Sequence, residues 1–187
     1  MNEDLQKALE VLKNGGVILY PTDTVWGLGC DATNAAAVDR IYQIKKRETS
    51  KRMLILMENP ALLDRYVDDV PEIALDLIEI STTPLTIIFP GARNLAPNLI
   101  AEDGTIGVRF TREDFSKELI RRFRRPIVSS SANISGMVTP GIFAEIDNAI
   151  IDAVDYVVKF RQNETAPSQP SSIIKLDQVG RIEIIRK

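Results

Sequence analysis

The sequence predicts one α/β domain, residues 1–187, built on a mixed sheet. Three observations carry that reading. The chain has 187 residues and 44% hydrophobic content, one domain's worth of material with enough apolar side chains for a core. Apolar residues recur at helical spacing in some stretches and as short continuous runs in others, and the two kinds interleave. The interleaving is not a strict strand–helix alternation, so the sheet is mixed rather than all parallel.

Taken in order, Leu5, Ala8, Leu9 and Leu12 keep helical spacing, with Asn2 as a cap and Gly15-Gly16 as the stop. Residues 17–20 form an apolar strand ended by Pro21, and residues 25–30 a second short apolar stretch with two glycines. Residues 35–46 are helical, with Val38, Ile41, Tyr42 and Lys45 along one side and Asn34 near the start. Residues 53–57 form a strand, and residues 60–66 and 71–79 are helices opened by prolines. Strands follow at 85–89 and 105–110, then an amphipathic helix at 114–124 built on Phe115, Leu119, Ile120 and Phe123. A strand at 126–129, a helix at 141–150 and strands at 156–158, 172–176 and 181–185 complete the pattern. No repeat or interdomain linker interrupts it. Residues 162–170 are rich in Asn, Thr, Ser and Pro, which suits either a mobile lid or binding loop, or an ordinary surface connection.

Composition narrows the chemistry. There is no histidine, which removes Ser-His-Asp and Cys-His catalysis, His-ligated zinc and imidazole bases together. The single cysteine, Cys30, can form neither an internal disulfide nor a Cys-rich metal site, and without an activating base it is read as a packing residue. The first residues are acidic and polar, unlike a signal or transit peptide, and no apolar run approaches the ~20 residues of a membrane span. A cytoplasmic location without membrane contact is the expectation. The net charge of −3 argues mildly against a nucleic-acid coat protein.

Three stretches are too polar and too punctuated for ordinary core. Pro21 to Asp31 leaves a strand and opens into hydroxyls, a carboxylate and glycines; it is either a tight turn with an exposed Trp26 or, the favoured reading, a ligand-facing loop. Residues 44–52 hold five cations, Lys45, Lys46, Arg47, Lys51 and Arg52, a helix-end charge pattern that also suits an anion. Residues 128–136 run from a strand into Ser129, Ser130, Ser131, Asn133 and Gly136, groups that can bind phosphate oxygens or a base edge. Neither a Walker A loop nor a strand-led GxGxxG is present. The run Arg121, Arg122, Arg124, Arg125 is read as a solvated helix face in preference to an RNA contact.

Together these stretches are familiar. Pro21-Thr-Asp-Thr-Val-Trp-Gly-Leu-Gly, Lys45-Lys46-Arg47, Thr105-Ile-Gly-Val-Arg109, Ser131-Ala-Asn-Ile-Ser-Gly136 and Pro170-Ser-Ser-Ile-Ile-Lys-Leu176, in this order, resemble the YrdC-like family of L-threonylcarbamoyladenylate synthases, in a short, single-domain form. The resemblance implies a twisted open mixed sheet with flanking helices and a concave basic cavity. It implies conversion of L-threonine, bicarbonate or carbon dioxide, and ATP into threonylcarbamoyl-AMP and pyrophosphate, with Mg²⁺ accompanying ATP. The product would serve a separate tRNA threonylcarbamoyl transferase complex. By matching positions, Lys45 and Arg47 are the catalytic pair facing the phosphates. Arg47, Lys51, Thr105, Ser129, Ser131, Asn133, Thr139 and Arg186 line the ATP side, and Thr24, Arg109 and Ser171 the threonine side. The alternative within the same fold is a non-catalytic accessory protein binding double-stranded RNA or tRNA; a third reading is a carbamoyl-transfer domain like that of the larger hydrogenase-maturation proteins. The chain departs from the family pattern at Trp26 (usually Tyr), Glu48 and Arg52 (commonly Pro), Leu56 (His in some members) and Ser172 (Thr).

Overall fold

The computed structural model describes residues 1–187, and its elements follow the apolar pattern closely. In chain order they are α1 (Asn2–Lys13), β1 (Ile18–Tyr20), β2 (Gly27–Gly29), α2 (Ala35–Ile44), β3 (Leu54–Met57), α3 (Glu72–Ile80), β4 (Leu85–Phe89), β5 (Ile106–Phe110), α4 (Asp114–Phe123), β6 (Ile127–Ser131), α5 (Asn148–Ile151), β7 (Tyr156–Val157), β8 (Ser172–Leu176) and β9 (Ile182–Arg186). The strands form one mixed sheet in the order β7-β1-β2-β6-β3-β5-β4-β8-β9. Three pairings are parallel, β1 with β7, β3 with β5 and β4 with β8; the rest are antiparallel.

Four local expectations are corrected. Asn2 does not cap α1; it is the first helical residue, Met1 precedes it, and no side chain caps that end. Residues 60–65 form a short 3-10 helix that starts at Pro60 and is capped by the Asn59 side chain, and the bridge of Val67 to Ala92 then draws the chain away. The helix expected over 141–150 splits into a 3-10 turn at Phe143–Glu145 and the four-residue α5, because Asp147 sits extended and accepts from the Ala149 amide, starting a new helix there. The strand expected to end at Ser129 continues to Ser131, so Ser130 and Ser131 are sheet residues.

The register explains how the sheet makes a site. Leu54 of β3 stands opposite Gly107 of β5 on one side and Ser129 of β6 on the other. Gly107 in turn faces Ile88 of β4. Two residues along, Leu56, Arg109, Thr86, Ile173 and Arg186 form a second row across β3, β5, β4, β8 and β9. Side chains alternate between faces along a strand, so both rows share one face. The intervening Ile55, Val108 and Val128 point the other way and join the buried core with Phe115 and Leu119 of α4. Helices α1 and α4 pack on each other, and α4 rests on β3. One face is thus closed by helices and the other is left as the floor of a cleft.

Candidate active site

A cavity of about 320 Å³ opens on that second face. Its floor is Leu54, Gly107, Thr86, Ile88 and Ile173, with Ser129, Ser130 and Ser131 rising from β6. Gly107 keeps the floor low: a Cβ there would lie 3.3 Å from Cβ of Leu54 and 3.5 Å from Cγ2 of Thr86. Thr24, Val25 and Gly27 of the Pro21–Asp31 loop form one wall, and Thr139, Pro170 and Ser171 another. Four arginines, Arg47, Arg52, Arg109 and Arg186, line the cavity, and no carboxylate does.

Each arginine is set by a different device. Helix α2 ends in a Schellman motif: the Lys46 amide donates to the Gln43 carbonyl (3.0 Å) and the Arg47 amide to the Tyr42 carbonyl (2.9 Å), with Lys46 at φ 48°. That turn sends Arg47 to the cavity. Its guanidinium donates to the carbonyls of Lys51 (2.5 Å) and Arg52 (2.9 Å), so the following loop folds around it. Arg52 donates to the Asn98 carbonyl at 2.7 Å. Arg186 donates from Nε and Nη2 to the Ser171 carbonyl (2.9 and 2.6 Å), and Ser171 Oγ shares a 2.8 Å hydrogen bond with Thr86 Oγ1. Carbonyl partners hold these three without cancelling their charge.

Arg109 is different. It is buried, its Nε stands 3.2 Å from Asp23 Oδ1, and Nη2 donates to Thr22 Oγ1 at 3.3 Å. Burial pulls the Arg109 guanidinium down from its ordinary value, and Asp23 opposes that. Burial likewise raises the Asp23 carboxyl, with Arg109 opposing. Thr22 also shares a 3.0 Å bond with Thr24 Oγ1, so the hydroxyl loop and Arg109 form one network.

Of the twelve predicted site residues, the fold brings nine to the cavity wall: Thr24, Arg47, Thr105, Arg109, Ser129, Ser131, Thr139, Ser171 and Arg186. Lys45, Lys51 and Asn133 do not line it. Lys51 is exposed and 3.5 Å from Glu48. Asn133 is engaged locally, accepting from Ser131 Oγ (2.5 Å) and donating to the carbonyls of Ile134 (3.0 Å) and Met137 (2.8 Å). Lys45 is buried, and its ammonium donates to the Ser131 and Asn133 carbonyls. Burial, with Arg47 second, lowers it to about 7.

Trp26 is not an exposed turn residue; it is buried with its ring 4.9 Å from that of Phe143. Leu56 is wholly buried opposite Arg109. Cys30 is buried, and burial raises its thiol far above the ordinary range, which suits packing. Arg121 and Arg122 both pair with Glu118, and Arg125 with Asp31, so two carboxylates offset half the charge of that basic run. The 162–170 loop is tied to the site: the Ser168 amide donates to Gly141, and Arg161 at its start donates to the Thr22 carbonyl. Thr86, a hydroxyl inside the apolar run 85–89, is a lining residue that the sequence reading passed over; its signal was that one polar interruption.

An arginine- and hydroxyl-lined cleft on the open face of a mixed sheet, with no histidine and no lining carboxylate, has the chemistry that suits an anionic small molecule. The chain belongs to the Sua5/YciO/YrdC family: that family's model, described as telomere recombination, matches residues 10–187. A protein named threonylcarbamoyl-AMP synthase from Pseudoalteromonas translucida is 36% identical over 169 residues, covering 89% of each chain. One named putative threonylcarbamoyl-AMP synthase from Methanocaldococcus jannaschii is 34% identical over 188 residues, 97% of this chain and 86% of the relative. Among solved structures, Pyrococcus abyssi Sua5 complexed with L-threonine superposes with TM-score 0.82 at 25% identity, covering 92% of this chain; this chain spans half the length of that one. Escherichia coli YciO superposes with TM-score 0.86 at 24% identity over 100% of this chain and 90% of YciO, a likeness of fold.

Proposed function

We propose that the chain is a threonylcarbamoyl-AMP synthase. The observation that carries this reading is the cavity wall: four arginines and a series of hydroxyls with no carboxylate among them, in a chain whose relatives carry that name. The neutral threonine amine adds to the carbon of carbon dioxide and loses a proton to solvent, or condenses with bicarbonate with loss of water, and becomes an N-carboxylate. One oxygen of that carboxylate attacks the α-phosphorus of ATP, the α–β bridging P–O bond breaks, and pyrophosphate leaves. The nucleophile comes from the substrate, so the protein needs to position reactants and offset charge rather than supply a histidine or cysteine.

In this reading Arg47 and Arg186 face the phosphates, and Lys51 approaches them from the rim. Thr105, Ser129, Ser131 and Thr139 serve the nucleotide, and Asn133 supports that wall by accepting from Ser131. Arg109, held by Asp23 and Thr22, receives the threonine carboxylate, with Thr24 and Ser171 beside it. Leu56 lies next to Arg109 across the sheet, wholly buried and outside the cavity lining, so it supports Arg109 from the core. Mg²⁺ enters as part of the ATP complex, held by phosphate and water, which suits a wall without acidic ligands and a chain with no cluster of acidic or sulfur ligands. The product passes to a tRNA threonylcarbamoyl transferase complex in the cytoplasm; no helix is long and apolar enough to cross a membrane.

The test is pyrophosphate release from the purified protein with ATP, bicarbonate and Mg²⁺, with and without L-threonine. Release that requires threonine is the expected result; threonine-independent release, or none, overturns the assignment.

A further inference from the structure

We propose that Lys45 is a positioning residue that clamps the segment Ser131–Ser135 against the end of α2, and that it does not touch the nucleotide. The inference rests on the synthase reading above only for the identity of the ligand whose binding it shapes.

Lys45 joins the two segments through both of its polar ends. Its ammonium donates to the carbonyl of Ser131 and, at 2.7 Å, to that of Asn133. Its own carbonyl accepts from the Ser135 amide at 2.8 Å. The residue is 1% exposed, and it is absent from the cavity lining while Ser131, the first residue of the segment it holds, and Thr139 beyond that segment are present there. An amine committed to two carbonyls two residues apart, and screened from the cavity, is placed to hold backbone rather than a phosphate.

The clamp has a consequence for the wall. With their carbonyls turned to Lys45, Ser131 and Asn133 are fixed in the geometry in which Ser131 Oγ donates to Asn133 Oδ1 at 2.5 Å. The Ala132 amide is held from the opposite side by the Trp26 carbonyl at 3.0 Å. The segment is thus pinned between the first ligand-facing loop and α2 before any ligand arrives. Such preorganisation improves ligand affinity by reducing the ordering required on binding. A lysine amine retains two N–H donors even when neutral, which matches its two carbonyl partners, so the clamp does not depend on the charge that burial disfavours.

The experiment compares wild type, Lys45→Met and Lys45→Arg by steady-state kinetics and by amide hydrogen exchange without nucleotide. Lys45→Met should raise the KM for ATP at least about tenfold while kcat stays within about threefold, the pattern of lost preorganisation. It should speed exchange in 131–137 at least tenfold, and Lys45→Arg, which keeps donors, should recover part of both effects. A kcat loss of about 100-fold or more with unchanged exchange would place Lys45 on the reacting phosphates and overturn the proposal. Should Lys45→Met not fold, wild type alone decides. The Ser135 amide should already be protected without nucleotide, and protection appearing only with ATP would overturn the clamp. Wild type without threonine-dependent pyrophosphate release strikes the synthase reading; the exchange measurements still decide the clamp.

Discussion

The two ends of the cavity handle positive charge in opposite ways. At the α2 end, Arg47 is held by the carbonyls of Lys51 and Arg52, and Arg52 by that of Asn98, so no carboxylate offsets either charge. At the other end Arg109 is buried against Asp23, and the pair is close to neutral. Carbonyl dipoles fix direction without cancelling charge; a carboxylate fixes direction and cancels most of it. The first arrangement suits a polyanion such as a triphosphate. The second suits a single carboxylate, for which orientation matters more than net charge. Burying an arginine beside the floor is tolerable only with a counterion, because an isolated buried charge is severely penalised.

The strongest test of this contrast removes each device in turn. Arg47→Ala takes a full charge from the polyanion end, and threonine-dependent pyrophosphate release should fall by about 100-fold or more with the fold intact. Threonine binding, measured calorimetrically without ATP, should hardly change; a selective loss of threonine affinity would invert the assignment of the two ends. Asp23→Asn keeps shape but leaves Arg109 buried without its counterion. The expected outcome is a loss of about 3–5 kcal/mol in urea denaturation. A loss below 1 kcal/mol would mean that Thr22 and solvent suffice to hold Arg109, and the two ends would not differ in kind.

A pH-dependent effect comes from Lys45, whose amine burial lowers from 10.5 to about 7. Below pH 7 the amine is charged in both folded and unfolded chains, and the folded state carries the full desolvation penalty. As pH rises from about 7 toward 10.5 the folded chain releases its proton first, so the unfolded chain binds more protons and stability increases with pH. Arg47 is the charged neighbour that adds to the lowering. The stability of wild type relative to Lys45→Met should therefore grow from pH 7 to pH 10, read from parallel denaturation curves. A flat difference would mean that the amine stays charged through this range.

These particulars show where sequence was informative. Periodicity located every strand within a residue or two, because buried apolar runs are a local property. It failed over 141–150, where Asp147 acts as a cap inside an otherwise helical pattern. The site residues on loops were legible as hydroxyl and glycine clusters, and Arg109 and the Lys45–Arg47 run through the family pattern. What could not be read was direction. Nothing local distinguishes Lys45, turned into a cage of carbonyls from a segment about 90 residues away, from Arg47, turned to the cavity. Nor does the sequence show that Asp23 is spent on Arg109. Both depend on pairings of distant strands.

The smallest prediction concerns the turn that separates those two cations. Lys46 occupies the left-handed position just past the end of α2, at φ 48°. A side chain there meets the neighbouring carbonyl, a strain of about 1–2 kcal/mol that glycine escapes. Glycine also enlarges the unfolded ensemble, an opposing term of about 0.4–1 kcal/mol. The net expectation for Lys46→Gly is a gain of about 0.5–1 kcal/mol, seen as a rise of about 1–4 °C in Tm for a chain of this size. The Schellman bonds from residues 46 and 47 are made by backbone and survive the change, so Arg47 keeps its aim and turnover should stay within about twofold. A stabilised variant with normal turnover would show that this turn serves the site through backbone geometry alone. A stabilised variant with tenfold weaker ATP affinity would instead make the Lys46 ammonium a third free charge at the polyanion end, and the contrast between the two ends would be steeper than the arginines alone imply.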